Sequence, residues 1–290
     1  MKVNIPAVGE AALLKNSIAW LADGTTLREE WEEFPDAAQW LKQEAAKKHR
    51  FTNVTEACGL SYQWYSKAVA MADVHETGRL DIFATLCGPP FNSNVDHNLF
   101  YRNEGNWKFT EISKEAGIRL PNGIGCVFGD INGDGHLDLM VCYMPEMGNQ
   151  GRNELFLGDG KGQFRDITDA SGLGKTGPSA QCLMSDVDND GDLDLYLVGN
   201  GADNTLWRNR GDGTFEDVTV GSGLEEIGSK GEKGYGGNLA AVMADLDGDG
   251  FQDLACIFKN TLRIFRNKGG KGFEDVAEYM GPGKPVVAGG

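Results

Sequence analysis

Short apolar runs rich in β-branched and aromatic residues recur along residues 51–290, separated by breaks of Gly, Asp and Asn. Leu139-Met-Val-Cys-Tyr143, Leu195-Tyr-Leu-Val198 and Leu254-Ala-Cys-Ile-Phe258 predict strands, since each is too short for a helix and bounded by turn formers. Two further marks keep step with them. Phe51-Thr-Asn-Val-Thr55 returns as Phe109-Thr-Glu-Ile-Ser113, Phe164-Arg-Asp-Ile-Thr168, Phe215-Glu-Asp-Val-Thr219 and Phe273-Glu-Asp-Val-Ala277. Asn98-Leu-Phe-Tyr-Arg-Asn103 is echoed by Asn153-Glu-Leu-Phe-Leu157, Asn204-Thr-Leu-Trp-Arg-Asn209 and Asn260-Thr-Leu-Arg-Ile-Phe-Arg-Asn267. Each unit of about 56 residues therefore offers four strands: one entering an acidic loop, one leaving it, one through the Asn mark and one through the Phe mark. Four strands per repeat of this length is the signature of a propeller blade. Blades stack face to face, so their middle strands must be apolar on both sides, as Leu137 to Tyr143 nearly is. The expected fold is all-β, a β-propeller with about four blades in units 51–108, 109–163, 164–214 and 215–272, and the start of another at 273–290.

The first 50 residues carry a different pattern. Thr26-Leu-Arg-Glu29 has the spacing of a capping box, in which the two side chains satisfy free amides at a helix start. Pro35 stands at a plausible first helical position, and Lys47 and Lys48 fall in the last turn of the segment that follows. Residues 1–50 are expected to form two short helices that pack on the propeller or on another partner. No apolar stretch reaches the 18 residues of a membrane helix, and Val3 to Glu10 lacks the unbroken apolar core of a signal peptide.

The candidate chemistry lies in the acidic loops. They read Asp130-Ile-Asn132-Gly-Asp134-Gly-His136-Leu-Asp138, Asp186-Val-Asp188-Asn-Asp190-Gly-Asp192-Leu-Asp194 and Asp245-Leu-Asp247-Gly-Asp249-Gly-Phe251-Gln-Asp253. Oxygen side chains recur at positions 1, 3, 5 and 9, Gly holds position 6, and position 7 (His136, Asp192, Phe251) offers its main-chain carbonyl. Calcium takes six to eight oxygens at about 2.3–2.6 Å, and alternate residues of a tight loop can supply them. An EF-hand would need a bidentate Glu at position 12, where this chain has Val141, Leu197 and Cys256. Three Ca²⁺ sites on β-hairpins are therefore expected. The first repeat, Asp73-Val-His75-Glu-Thr77-Gly-Arg-Leu-Asp81, keeps the end carboxylates and loses the middle ones, so its site should be weak or empty.

The net charge of −16 is largely metal-site chemistry, and it argues against nucleic acid and anionic membranes, which need clustered Lys and Arg. Six cysteines show no CxxC pairing, which speaks against zinc. Cys126 and Cys142 lie symmetrically about Asp134, a spacing that would allow a cross-strand disulfide; buried free thiols are the reading favoured by their apolar runs. Gly172-Leu-Gly-Lys-Thr176 mimics a phosphate loop, yet Asp169 stands where its first glycine belongs. Arg210-Gly-Asp212 falls in a turn that recurs elsewhere without that tripeptide, and Asn53-Val-Thr55 is a sequon meaningful only in a secreted eukaryotic protein.

The phrase Val127-Phe-Gly-Asp-Ile-Asn-Gly-Asp-Gly-His-Leu-Asp138 resembles the FG-GAP/VCBS repeat of integrin-α-type β-propellers. With the Asn-x-Leu and Gly-x-Phe-x-Asp-Val-Thr marks, residues 51–290 are similar to bacterial VCBS-repeat proteins and the cartilage acidic protein family. The resemblance implies calcium at the hairpin loops, a setting outside the cytoplasm, recognition or adhesion, and no catalytic residue. It also implies seven blades where four are present. Gly283 to Gly290 looks like the approach to a further metal loop, so either the sequence is part of a longer chain or four blades close alone. Protein or glycan ligands on the propeller surface are the expected partners, with missing sequence or another chain completing the ring. A lectin would stack sugars on aromatics such as Trp64, Tyr65, Tyr101, Trp107 and Trp207, although Tyr101 and Trp207 share a repeat position that suits core packing. A polysaccharide lyase or hydrolase would need His, Lys or Arg and carboxylates converging in a cleft, which the sequence does not display outside the loops. An extracellular or periplasmic location follows from the weak calcium affinity of such loops.

Overall fold

The computed structural model describes residues 52–60, 66–86, 97–118, 123–143, 152–200, 202–225, 240–258 and 261–276. The chain divides into two compact units, Met1–Val54 and Thr55–Gly290, and every described strand belongs to the second. The helices expected within residues 1–50, Trp64, Tyr65, Cys87 and the segment 283–290 lie outside the described residues.

Among the described residues sixteen strands make four antiparallel sheets, each a meander in sequence order. Blade 1 contains β1 (Ser66–Ala72), β2 (Asp81–Leu86), β3 (Leu99–Gly105) and β4 (Lys108–Glu111). Blade 2 contains β5 (Gly125–Gly129), β6 (Asp138–Cys142), β7 (Glu154–Gly158) and β8 (Phe164–Asp166). Blade 3 contains β9 (Ser179–Ser185), β10 (Asp194–Gly199), β11 (Thr205–Asn209) and β12 (Phe215–Asp217). Blade 4 contains β13 (Ala241–Ala244), β14 (Asp253–Phe258), β15 (Thr261–Asn267) and β16 (Phe273–Asp275). Each sheet opens with the strand that enters an acidic loop and closes on the Phe mark, so hydrogen-bonded blades run across units counted from that Phe. Helical structure among the described residues is limited to a 3₁₀ turn at Leu173–Lys175.

The first strands lie side by side, β1 next to β5, β5 next to β9 and β9 next to β13, and the four sheets do not close on themselves. Because side chains alternate along a strand, the fully buried second strands serve two neighbours at once. On β6, Leu139 and Val141 pack with Phe83 and Phe100 of blade 1, while Met140 and Cys142 pack with Cys182, Leu195 and Leu197 of blade 3. On β10, Tyr196 and Val198 turn to Leu254, Cys256 and Phe265 of blade 4. Each of these side chains contributes about 1.5–3 kcal/mol by leaving water, so the apolar runs visible in the sequence are the inter-blade cores.

The recurring marks have local explanations. Thr168 and Thr219 accept the amides of Leu155 and Leu206 on their hydroxyls at 3.0 and 2.9 Å, which extends the pairing beyond the short outer strand. The Phe of each mark donates its amide to the turn of the mark before it, as Phe164 does to Ala116 and Phe215 to Ser171. Asn204 accepts from Gly199 at 2.9 Å and donates to the Tyr196 hydroxyl at 2.8 Å, fastening the start of β11 to the end of β10.

Candidate metal centres

The three acidic loops span Asp130–Asp138, Asp186–Asp194 and Asp245–Asp253, each joining the first two strands of its blade. Their position-6 glycines Gly135, Gly191 and Gly250 have φ of +87°, +99° and +92°, a left-handed conformation that strains any L side chain. The leading carboxylate folds each loop around itself: Asp130 accepts from Gly133 and Gly135 at 2.8 Å each, and Asp245 from Gly248 and Gly250 at 2.7 and 3.0 Å. Asp186 does the same with Asp190 and Gly191 at 3.1 and 3.0 Å. Position 5 accepts the amide of position 7, His136 to Asp134, Asp192 to Asp190 and Phe251 to Asp249, at 2.9, 3.0 and 2.9 Å.

Position 9 is a buried anchor. Asp138 accepts from Ile131 and Gly158 at 2.9 Å each, Asp194 from Val187 and Asn209 at 3.0 and 2.8 Å, and Asp253 from Leu246 and Asn267 at 2.9 and 2.8 Å. Asn209 also donates its side chain to the Ile131 carbonyl of blade 2 at 2.7 Å, and Asn267 to the Val187 carbonyl of blade 3 at 2.8 Å. One ladder of hydrogen bonds thus joins Asp138, Asp194 and Asp253 across two blade seams. Burial pushes the carboxyls of Asp138 and Asp194 up to about 6; their backbone donors oppose this, and acids in the same loops add to it.

The upper carboxylates converge in blades 3 and 4. Oxygens of Asp186, Asp188 and Asp194 lie within 4.8 Å of one another, as do those of Asp245, Asp247 and Asp253. Two oxygens on one calcium stand at most about 5 Å apart, so both groups have the reach to hold one ion. Asp188 Oδ1 is buried with no hydrogen-bond partner, an exposed cost that a hard cation would remove. Asp130, Asp134 and Asp138 do not form such a group among the described residues: position 3 there is Asn132, whose amide donates to Asp134 Oδ2 at 3.0 Å. Asp190 and Asp249 stay outside the two convergent groups and serve the loop backbone instead.

The sequence reading missed the arginines of the Asn-x-Leu mark. Arg208 Nε stands 2.9 Å from Asp188 Oδ2 and Arg266 Nε 3.1 Å from Asp247 Oδ2. It also gave the histidines no task. In the first repeat, Asp73 holds Thr77 and Gly78 in the same loop form, and His75 Nδ1 meets the buried Asp81 Oδ2 at 2.7 Å. His136, expected only to offer its main-chain carbonyl, bonds Glu76 of the first loop through its side chain and so stitches blades 1 and 2. At Gly158, the counterpart of Asn209, an added Cβ would lie 2.2 Å from the Leu137 carbonyl, so no side chain can make that seam there.

Other sequence candidates resolve simply. Cys126 pairs in register with Val141, not with Cys142, and both are free thiols. Arg210 and Asp212 are engaged within the β11–β12 turn, by Glu216 and Thr214. A Cβ added at Gly174 would lie 2.2 Å from Asp169 Oδ1, so a carboxylate crowds this look-alike of a phosphate loop. Tyr101 is buried and Trp207 packs on the core, whereas Trp107 is 73% exposed at the β3–β4 hairpin.

The raised carboxyls give a pH dependence. A carboxyl whose folded pKa lies above its unfolded value stabilises the metal-free fold below about pH 4 and loses that contribution as pH rises through about 6. A cation needs the same groups ionised. At pH 5 only about a tenth of a carboxyl titrating near 6 is charged, so divalent-cation affinity at blades 2 and 3 is expected to fall roughly tenfold between pH 7 and pH 5. Calorimetric titrations at the two pH values measure this; equal affinities contradict it.

Comparison with known proteins agrees with the repeat pattern. Cartilage acidic protein 1 of Mus musculus is 28% identical over 263 residues, covering 83% of this chain and 37% of the relative. Its Homo sapiens counterpart is also 28% identical over 263 residues, with 83% and 36% covered, so the chain spans about a third of the length of these curated relatives. Among solved structures, an Agrocybe aegerita lectin described as recognising non-reducing terminal N-acetylglucosamine matches with a TM-score of 0.40 at 19% identity, covering 73% of this chain and 65% of that one. The Vibrio cholerae biofilm matrix protein Bap1 matches with a TM-score of 0.36 at 13% identity, covering 71% of this chain and 29% of that one. The FG-GAP-like repeat profile matches residues 73–141, 146–197 and 186–256, more than half of the sequence, and the chain belongs to the FG-GAP-like repeat family.

Proposed function

We propose that this chain is a calcium-stabilised, non-enzymatic propeller that serves as a recognition or adhesion scaffold outside the cytoplasm. The observation that carries it is the convergence of Asp186, Asp188 and Asp194 around an unpartnered buried oxygen, repeated in its grouping by Asp245, Asp247 and Asp253. The donors are all oxygens, with no thiol or imidazole among them, which suits a hard cation; calcium accepts the irregular loop geometry that magnesium does not. Asp130, Asn132, Asp134 and Asp138 make the third site, whose carboxylates draw together around the ion. Loops of this kind in extracellular modules bind at about 10⁻⁴ to 10⁻³ M, which favours a calcium-rich compartment. No described helix is long and apolar enough to cross a membrane.

Recognition in place of catalysis is supported by family membership and by the lining of a cleft of about 410 Å³ between blades 3 and 4. Arg208, Lys271 and Ser222 line it, with no His, Asp or Glu to act as acid or base. The outward faces of the end blades expose Val69 and Met71 on β1, and Val242, Ile257 and Leu262 on blade 4, so they suit further blades or another chain as partner. Exposed Trp107 keeps sugar binding as a second reading, and a glycan array run with the wild type and Trp107→Ala separates it from protein binding. Calorimetric titration with calcium tests the leading one. Three ions per chain are expected, not four, because His75 occupies Asp81 in the first loop; four equivalent sites, or no binding, would overturn the assignment.

A further inference from the structure

The four repeats match the residue at loop position 3 to a residue on the third strand. Position 3 is Asp188 in blade 3 and Asp247 in blade 4, and there the strand carries Arg208 and Arg266, each ion-paired to that carboxylate. Position 3 is the neutral Asn132 in blade 2, and the equivalent strand residue is Leu157, one before the Gly158 amide that binds Asp138. Position 3 is His75 in blade 1; the equivalent Arg102 turns to Glu104 at 2.7 Å instead. The alignment is fixed by structure, since the residue after each strand position, Asn103, Gly158, Asn209 or Asn267, donates its amide to the buried position-9 Asp.

Charge gives the pairing a consequence. At loop positions 1, 3, 5 and 9, blade 2 offers three carboxylates; blades 3 and 4 each offer four carboxylates and one guanidinium. Counted at positions 1, 3, 5 and 9, all three loops therefore present the same net charge of three negatives to an ion, by two different routes, and Asp192 at position 7 adds one more acid to blade 3. We propose that Arg208 and Arg266 are internal counter-cations that set the calcium affinity of blades 3 and 4, holding the position-3 carboxylate until an ion displaces them. This rests on the calcium reading of the loops. Arg208 Nε is out of line for a hydrogen bond to Asp188, and Asp188 Oδ1 has no partner, so the guanidinium offsets charge while leaving a coordinating oxygen unused. Such an arginine weakens binding, by repelling the ion and by competing for Asp188. An arginine that merely positioned the carboxylate would strengthen it, so the sign of the effect separates the two roles.

The test is equilibrium dialysis of calcium against the full chain, wild type and variants, with melting in excess chelator as a second readout. Arg208→Leu installs the residue that blade 2 already uses, and is expected to tighten one of the three sites about tenfold while lowering the melting temperature without calcium. Arg266→Leu should do the same for another site, and Arg208→Lys should keep the wild-type affinity because it keeps the charge. Unchanged or weaker binding in both Leu variants overturns the proposal while leaving the calcium reading intact. Failure of both to fold also overturns it, since the arginines would then be structural. Absence of calcium binding to the wild type sinks the underlying reading itself.

Discussion

Excess chelator is expected to lower the melting temperature by roughly 15 °C or more relative to saturating calcium of about 10–100 mM, a hundredfold excess over dissociation constants of about 10⁻⁴ to 10⁻³ M. An ion that binds only the folded chain stabilises it by about 2.7 kcal/mol at a hundredfold excess over its dissociation constant, so three sites together supply about 8 kcal/mol. A domain of this size shifts by about 2–4 °C per kcal/mol. The loops give the effect a structural route: without an ion, five acids crowd the loop of blade 3 and four that of blade 4, and the buried Asp138 and Asp194 are ionised at neutral pH at a cost that their raised carboxyl pKa of about 6 records. Because blades contact only their neighbours, loss of ions should also broaden the transition as the array loses cooperativity. Differential scanning calorimetry with calcium, magnesium or chelator checks this. Melts that coincide would show that the loops are ordinary solvated turns.

Much of the blade was legible in the sequence because its features are local. Leu139 to Tyr143 and Leu195 to Val198 are apolar at every position, which only a strand covered on both faces requires, and β6 and β10 are buried throughout. The loop spacing fixed which side chains could converge, and Gly135, Gly191 and Gly250 take the positive φ that a sharp turn at position 6 demands. Contacts between blades were not legible. Asn209 and Asn267 reach carbonyls 78 and 80 residues away, and His136 reaches Glu76 across 60. No periodicity marks such pairs, because the repeat encodes what each blade does to itself and says little about which neighbour receives a side chain. One signal was present and went unread: Leu157 replaces the strand arginine in the repeat where Asn132 replaces the loop aspartate. The three loops are also less alike than their sequences, since Asn132 turns its amide to Asp134 while the acids of blades 3 and 4 converge.

Asp194→Ala is expected to cost about 2–6 kcal/mol even in excess chelator, whereas Asp190→Ala should cost about 1 kcal/mol or less under the same conditions. Both residues belong to one loop and both were read from the sequence as metal ligands, but the fold gives them different work. Asp194 is 1% exposed and accepts the amides of Val187 and Asn209, so its removal strands two buried donors. Each stranded donor costs about 1–3 kcal/mol. The damage should spread, because Asn209 also holds the Ile131 carbonyl of blade 2, and Val187 presents the carbonyl that Asn267 of blade 4 binds. Asp190 accepts one amide, that of Asp192, at an exposed site where water can replace it. With calcium present each variant should lose a further, similar increment, since each removes a ligand from the same ion, and the gap between them should persist. Urea unfolding of both variants, with and without chelator, separates the anchoring role from the coordinating one. Equal destabilisation in chelator would mean that the hydrogen-bond ladder through Asp138, Asp194 and Asp253 does not hold the blades, leaving the apolar seams on β6, β10 and β14 to do so alone.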